Sequence, residues 1–533
     1  MLIFCVVSKD NIKDNGMQDH VNKSCLSSVQ SFLQPQVITM LFLGFSAGIP
    51  LLLIFSSLSL WLVEAGVQRS TVTYFSWAAL GYSFKFLWAP LIDRLPVPLL
   101  TRLLGKRRAW LLVAQFLVIS AIVLMAFIDP SQGEYYLILM AFAAILLGFS
   151  SATQDIVIDA YRIESADSSL QAEGSLQALM SSTYIAGYRI GMLASGAGAL
   201  ILASYLGSEK DHYNYMAWHW TYLCMALFML IGVFTTLSIP EPVKKESIEV
   251  KHTTKQYLQF LMLFIICIIV FIMTFIALKA PVSSAKIMLS SLLGSLPIST
   301  FIMETLRLLT SLLMMSLSAY VLSYFKLVDK ELVWESYIAP VNDFFQRYGK
   351  TIALALLVFI GFYRVSDIVL GVIANVFFLE IGFTKLQIAT VVKTFGLLMS
   401  IAGGFLGGIL AIRFGVMKIL FLGALLTVIT NLLFMLLASA GNDIVFLYLV
   451  ISADNLSAGL ASAAFVAFLS SLTNISFTAL QYAIFSSLMT LMPKLIGGYS
   501  GSIVESIGYS NFFLVASLMG VPVLFLLYFL KKT

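Results

Sequence analysis

The chain alternates long runs of apolar residues with short polar loops. Runs at 37–63, 109–127 and 446–472 reach the ~20 residues that an α-helix needs to cross a hydrocarbon core about 30 Å thick. Inside lipid every backbone amide and carbonyl must find its partner within the same element, so runs of this length form helices. The pattern predicts an all-α integral membrane protein.

The apolar runs form two sets of six with two further runs between them. The first set lies at about 37–63, 73–92, 109–128, 133–160, 181–206 and 217–238. The middle pair lies at about 257–278 and 299–325, and the second set at about 351–379, 387–412, 416–437, 442–472, 479–503 and 510–530. We expect about fourteen spans in four parts: a tail at 1–36, a six-helix bundle at 37–240, a middle linker with two helices at 241–350, and a second six-helix bundle at 351–533.

Composition and charge agree with this arrangement. Of 533 residues, 60% are hydrophobic and 11% are charged, against about 25% charged in a soluble protein. Basic residues concentrate in alternate loops, above all between the second and third runs, where Arg94, Arg102, Lys106, Arg107 and Arg108 lie. Because cytoplasmic loops carry the excess of Lys and Arg, we expect both termini to be cytoplasmic. The net charge of +5 then reflects topology, and no nucleic-acid partner is expected.

Several classes of chemistry lack their signature in the sequence. The four cysteines are scattered and the four histidines lie in predicted tails, loops or span ends, so no metal and no other cofactor is expected. No GxxxxGK[ST] loop is present to drive a pump with ATP. The short basic loops hold no acid–base cluster, so we expect a transporter and not an enzyme. A membrane-embedded transferase, a lipid translocase and a non-transporting receptor stay open as alternatives.

The fourth run carries an unusual group of polar residues. Asp155, Asp159 and Arg162 are spaced i, i+4 and i+7 and share one helical face. A carboxylate near the bilayer centre costs at least ~2.5–3.5 kcal/mol, so this face must meet protein or water. One interpretation is that Asp155 exchanges a proton during transport while Gln154 binds substrate. The other is that Asp159 and Arg162 form a structural pair.

Further charges lie in neighbouring runs. Arg189 accompanies a stripe of small residues in the fifth run, where it could bind an anionic group or hold Asp155. In the second half, Arg364 and Asp367 are spaced i, i+3, and Lys393 is another intramembrane cation. We expect one cluster per half to form the substrate and proton path, with Asp367 as the rival of Asp155. The two clusters are Gln154, Asp155 and Arg189, with Asp159 nearby, and Arg364, Asp367 and Lys393.

A gate is predicted at the second-to-third loop. Asp93-Arg94 followed by Gly105-Lys-Arg107-Arg108 resembles the signature of the major facilitator superfamily at this position, although the spacing is longer than usual. The resemblance implies that Asp93, Arg94, Arg107 and Arg108, together with Lys85, latch the cytoplasmic side. Positive-inside anchoring explains the arginines but not Asp93, and Lys85 could instead snorkel.

Longer stretches resemble the AmpG family of muropeptide permeases over nearly all of residues 38–530, apart from the two middle runs. They include Gly44-Phe-Ser-Ala-Gly48-Ile-Pro50, Phe84-Lys85-Phe-Leu-Trp88-Ala-Pro90-Leu-Ile-Asp93-Arg94, Gln154-Asp-Ile-Val, Gly187-Tyr-Arg-Ile-Gly-Met-Leu and Ala339-Pro-Val-Asn-Asp343.

The resemblance implies a major facilitator fold and proton-driven import of GlcNAc-anhydroMurNAc, with or without peptide, across a bacterial inner membrane. It further implies alternating access, a role in peptidoglycan recycling and a monomer whose partners are cargo, protons and the bilayer. Family members often carry their extra two spans at the C-terminus, whereas this chain has them in the middle. Another polar or anionic cargo of the peptide, sugar or acyl-CoA type therefore stays open.

Overall fold

The computed structural model describes residues 33–67, 75, 80–167, 173–208, 212–242, 253–294, 296–325, 327–384, 387–497 and 500–532. The predicted tail therefore lies almost wholly outside the described residues. Thirteen of the described helices are long and apolar enough to cross a membrane. With span 2, part of which lies outside the described residues, they give the predicted order of six, two and six spans. The chain is an all-α, multi-pass membrane protein.

The first six spans follow the predicted runs closely. Their bounds are Pro35–Glu64 with a π-helical turn at Leu53–Ser57 for span 1, Leu80–Arg94 for span 2, Lys106–Ala126 for span 3, Glu134–Asp167 for span 4, Glu173–Tyr205 with a π-helical turn at Ala194–Gly198 for span 5, and Tyr215–Ser238 for span 6. Span 2 is interrupted by a 3₁₀ turn at Lys85–Leu87.

The middle pair consists of span 7, Thr254–Ala277, and span 8, Leu296–Tyr324. A helix that the sequence pattern did not predict, Lys279–Leu293, connects them. In their most apolar windows 17% and 6% of the residues are buried, against 56% in span 3. The inserted pair therefore lies at the periphery of the protein.

The second half begins with a short helix, Lys330–Val333, and a π-helical turn, Trp334–Ile338. The next helix, Ala339–Phe362, turns at Gly349, whose φ of 71° is a left-handed conformation that favours glycine. Span 9 runs from there to Glu380 and is broken between Phe362 and Val365.

The five remaining spans have bounds that match the predicted runs. They are Ile388–Phe414 for span 10, with a π-helical start at Ile388–Phe395; Val416–Ala440 for span 11; Ile444–Ser471 for span 12; Thr478–Gly497 for span 13, which continues after residue 499 up to the turn at Gly508; and the rest of Ser500–Lys532 for span 14.

Glycines set the closest helix crossing in the first half. A Cβ on Gly44 or Gly48 of span 1 would overlap the carbonyl oxygens of Tyr184 or Tyr188 in span 5, and one on Gly187 or Gly191 would overlap span 1 in return. Close backbone approach through small residues is how membrane helices associate without a hydrophobic driving force. The predicted stripe in span 5 thus packs on span 1 and fixes the position of the residues that follow it.

A second glycine face joins the two halves. A Cβ on Gly403 of span 10 would overlap the Leu456 carbonyl in span 12, whereas one on Gly408 would meet the Ser182 side chain in span 5. Span 10 therefore packs on its own half with one face and on the first half with the other. The polar residues of spans 4 and 5 consequently face those of the second half.

Candidate functional site

Asp159 lies within a buried network of ion pairs. Its carboxylate is 3.5 Å from Lys85 Nζ and 3.1 Å from Arg162 Nη2. Arg162 is fully buried between the rings of Tyr184 and Tyr482, each 5.2 Å from the guanidinium. Because Tyr482 belongs to span 13, this guanidinium bridges the two halves. The structural pairing of Asp159 with Arg162 is confirmed, and the pair extends to Lys85.

Asp155 lies one turn away in a different environment. It is 8% exposed, and its Oδ1 has no hydrogen-bond partner in the described part of the chain. The charges that act on it are those of Lys85 and Asp159, and Tyr82, Tyr184 and Tyr188 are close enough to interact with it electrostatically. A buried carboxylate oxygen without a partner is rare, and such groups call for an explanation in function or in a missing ligand.

Gln154 shares this environment. Its Nε2 donates to Ser46 Oγ at 3.2 Å, while its Oε1 is buried without a partner among the described residues. Ser46 belongs to span 1, so the amide is held in place from one side and open on the other. It can accept a hydrogen bond from a ligand without losing the contact that orients it.

The structure changes two predicted groupings. No ion pair joins Arg189 to Asp155 among the described residues, and the charged groups that act on Arg189 are Arg364 and Asp367 in the second half; its binding of an anionic group stays a prediction. Successive residues on a helix point about 100° apart, so Tyr188 faces Asp155 while Arg189 turns toward span 9. Lys85 is not at the gate and does not snorkel, because the 3₁₀ turn in span 2 directs it inward, where it is 6% exposed.

The second-half cluster lies at a helix break. Arg364 falls in the gap within span 9, and Asp367 lies in the first turn of Val365–Glu380. Arg364 Nη2 and Asp367 Oδ2 are 2.5 Å apart, and both side chains are 25% exposed. Broken membrane helices often build transporter sites, because their free backbone groups and end residues can meet a ligand. Lys393 is exposed and lies in the π-helical start of span 10.

One residue of this cluster was missed from the sequence. Asp454 of span 12 interacts electrostatically with Asp367, and Thr430 Oγ1 donates a hydrogen bond to Asp454 Oδ1 at 3.4 Å. The signal was present: Asp454 is the one carboxylate of the apolar run at 446–472. The criterion that selected Asp155 in span 4 would have selected it too.

The predicted gate forms around Arg107, which is 1% exposed. Its Nη2 is 2.8 Å from Asp93 Oδ1, 2.6 Å from Glu164 Oε1 and 2.9 Å from Thr478 Oγ1. Thr478 begins span 13, and Asp93 Oδ2 accepts from the backbone N–H of Leu480 in the same span at 3.0 Å. Carboxylates stabilise the unpaired N–H groups at a helix start, so Asp93 caps span 13 across the interface between the halves.

The other basic residues of that loop have different partners. Arg108 donates to the carbonyls of Thr236 and Leu237 at the end of span 6. Arg94 pairs with Glu335 at 3.1 Å, in the segment that leads into the second half. Glu241 accepts hydrogen bonds from the backbone N–H groups of Arg107 and Arg108. Burial raises the pKa of its carboxyl group, although these two hydrogen bonds act to lower it. Glu164 and Glu241 were not predicted, because both lie at span ends where acidic residues are common.

Comparison with known proteins confirms the resemblance that the motifs predict. The BT1 family model matches residues 48–206. An AmpG transporter of Rickettsia conorii is 29% identical over 490 residues, which cover 92% of this chain and 95% of that protein. The anhydromuropeptide permease of Escherichia coli K12 is 28% identical over 503 residues, covering 94% of this chain and 81% of that one.

Solved structures show the fold. The proton:xylose symporter XylE aligns with a TM-score of 0.54 at 12% identity, covering 94% of this chain and 95% of that one. The transporter FucP, in its outward conformation, aligns with a TM-score of 0.55 at 13% identity, covering 94% of this chain and all of that one. Both are major facilitator superfamily proteins, and this chain has their fold.

Proposed function

We propose that this membrane protein, which has the major facilitator fold and resembles AmpG permeases along its length, is a proton-coupled importer of anhydro-muropeptides. Its cargo is GlcNAc-anhydroMurNAc with or without peptide, moved across a bacterial inner membrane by alternating access for peptidoglycan recycling. The protein acts as a monomer with both termini in the cytoplasm and without a cofactor. The observation that carries the proposal is the buried Asp155, whose Oδ1 has no hydrogen-bond partner among the described residues and lies near Lys85, which pairs with Asp159.

Asp155 is the proton carrier in this mechanism. When Asp155 is charged, Lys85 and Arg162 balance the two carboxylates, Asp155 and Asp159; when it is protonated, the two cations face Asp159 alone. Protonation of Asp155 therefore changes the net charge of this buried cluster by one unit, which is the kind of change that a coupling group provides. The tyrosines around Asp155 supply hydroxyl groups that can donate a hydrogen bond to the carboxylate or accept one from the protonated acid.

The cations that bind the anionic groups of the cargo are Arg189, Arg364 and Lys393. Arg189 comes from the first half and the other two from the second, and the ion pair of Asp367 with Arg364 leaves the remaining cations available to the cargo. The carboxylates of a muropeptide suit guanidinium groups, which bind them through paired hydrogen bonds. Gln154 contributes a neutral contact to the sugar or the peptide backbone.

The gate network supports alternating access. Arg107, Asp93 and Glu164 of the first half hold Thr478 and Leu480 of the second, so the halves are joined at this end. Release of cargo to the cytoplasm requires these contacts to break. Because Arg107 also holds Asp93 and Glu164 within its own half, the first-half part of the network can stay intact while span 13 moves away.

Uptake of labelled GlcNAc-anhydroMurNAc-tripeptide into proteoliposomes tests the proposal. We expect accumulation above the external concentration when the outside is acidic, and equilibration only when the gradient is collapsed. Uptake that is indifferent to the proton gradient would remove the coupling. If the muropeptide is not taken up but a sugar, peptide or acyl-CoA is taken up when the gradient is applied, the protein is a transporter of that other cargo. Cleavage or transfer of the label by the purified protein would favour the transferase alternative.

A further inference from the structure

A cavity of about 450 Å³ lies between the inserted pair and the main bundle. Spans 7 and 8 form two of its walls, the segment Lys330–Ile338 forms the third, and Leu87 of span 2 closes it toward the first half. Its volume falls in the range of about 300–1,000 Å³ that small-molecule sites usually occupy. It is separate from the polar clusters of spans 4, 5 and 9.

The cavity is apolar along its depth and polar at one end. Leu263, Phe264 and Ile268 line it from span 7, and Met315 and Ala319 line it from span 8. Along span 8 the lining extends from Met315 to Tyr324, which ends the helix. At 1.5 Å per residue this is roughly 14 Å, about half of a ~30 Å hydrocarbon core. The cavity thus has the depth of a single leaflet.

A cation marks the polar end. Lys330 is the charged residue among the described cavity-lining residues, and its Nζ lies 5.7 Å from the ring centroid of Tyr324. The neighbouring acid, Asp329, is engaged elsewhere: its Oδ2 accepts from Gln256 and its Oδ1 from the Glu331 N–H. Lysine and tyrosine at the end of a membrane helix are typical of the level of lipid headgroups.

We propose that this cavity binds one acyl chain of an anionic phospholipid from the adjoining leaflet, with Lys330 at the lipid phosphate. Leaflet depth, apolar walls and a cation at the headgroup level match a lipid better than they match a soluble ligand. The occupied cavity gives the inserted pair a structural role, since the lipid fills the gap between spans 7 and 8 and the bundle. The segment Lys330–Ile338 also carries Glu335, which binds Arg94 beside the gate.

Photolabelling of the full chain in nanodiscs tests this site. The probe is phosphatidylglycerol with a diazirine in its acyl chain, and the labelled peptides are identified by mass spectrometry. We expect adducts on the cavity walls, around Cys267 and Met315. Ala319→Trp, which fills the cavity, should remove most of this labelling. Leu317→Trp on the same helix, where Leu317 is 49% exposed outside the cavity, should leave it unchanged.

The headgroup is tested separately. Lys330→Gln should lower retention of phosphatidylglycerol through purification about fivefold, the effect of one lysine on an anionic lipid. Lys279→Gln, at the start of the helix that connects spans 7 and 8 and outside the cavity lining, is the matched control. Phosphatidylethanolamine retained as well as phosphatidylglycerol would overturn the anionic assignment. Equal labelling of the two tryptophan variants would overturn the cavity site; if Ala319→Trp does not fold, unchanged retention in Lys330→Gln overturns the proposal on its own.

Discussion

The two halves both bury charged residues, but they shield them differently. In the first half Lys85, Asp159 and Arg162 are all less than 9% exposed, and both cations pair with Asp159, while one oxygen of Asp155 has no partner among the described residues. In the second half Arg364 and Asp367 are each 25% exposed, and Lys393 is exposed. A proton carrier needs separation from water, whereas a cargo site needs access. Under the proposed function, the difference favours Asp155 of the first half as the proton carrier and the Arg364–Asp367 pair of the second half as a cargo contact.

Helix geometry produces the difference. Span 4 is continuous from Glu134 to Asp167, so Asp155, Asp159 and Arg162 stay on one face and pack against neighbouring helices. Span 9 breaks at Arg364, so the pair with Asp367 lies at a helix start, where both side chains stay 25% exposed. A continuous helix shields its charges, and a broken one presents them.

Stability should show the largest contrast. Arg162→Ala leaves Asp159 in a buried site with one cation fewer, and we expect it to lower the free energy of unfolding by about 3–5 kcal/mol. Arg364→Ala removes a partly exposed pair and should cost about 1 kcal/mol or less. Unfolding by SDS titration in detergent measures both. Equal losses would mean that the two pairs are buried to the same degree in the working protein.

Substitution of Arg364, which should cost little stability, should have a large effect on cargo affinity. Arg364→Ala removes a charged hydrogen-bond donor worth ~1.5–3 kcal/mol, so the KM for muropeptide uptake should rise about 10- to 100-fold. The ratio of accumulated to external cargo at saturation should stay unchanged, because the proposed proton carrier, Asp155, lies in the other half. Arg413→Ala, at the exposed end of span 10, is the control. A normal KM in Arg364→Ala would remove the cargo role of the second half.

Asp454→Asn should have the smallest effect. Asp454 has a long bond to Thr430 and no ion pair in the described chain, so the KM should change by no more than about fivefold. Coupling should persist, as measured by gradient-driven accumulation. Loss of coupling in this variant would place a proton carrier in the second half and reverse the comparison.

Much of the fold could be predicted because lipid permits few structures. The bounds of the spans follow from runs of apolar residues, and the stripe at Gly187 and Gly191 predicts a close helix crossing without identifying span 1 as the partner. The helix Lys279–Leu293 escaped because it is short and rich in serine, without the length that marks a span.

The site was predictable in its members and not in its pairings. Asp155 and Asp159 stand out because carboxylates are costly inside a membrane, and Asp93 stands out through the resemblance of its loop to a family signature. Partners depend on helix rotation and local interruptions that the sequence does not display. The 3₁₀ turn at Lys85 accompanies the pairing of Lys85 with Asp159. The break in span 9 lies at Arg364, near which Arg189 interacts with Asp367.

Cargo-induced proton currents test the central claim most directly. Proteoliposomes on a solid-supported membrane should give a current when muropeptide is added to the unmodified protein. Asp155→Asn should lower the current at least ~100-fold, the effect expected when a proton-transfer group is lost. The cargo should still bind to this variant. Asp367→Asn should keep a current at raised cargo concentration, and Glu134→Gln on the exposed start of span 4 should match the unmodified protein. A persistent current in Asp155→Asn, or its loss in Asp367→Asn at saturating cargo, would contradict the assignment of coupling to the first half.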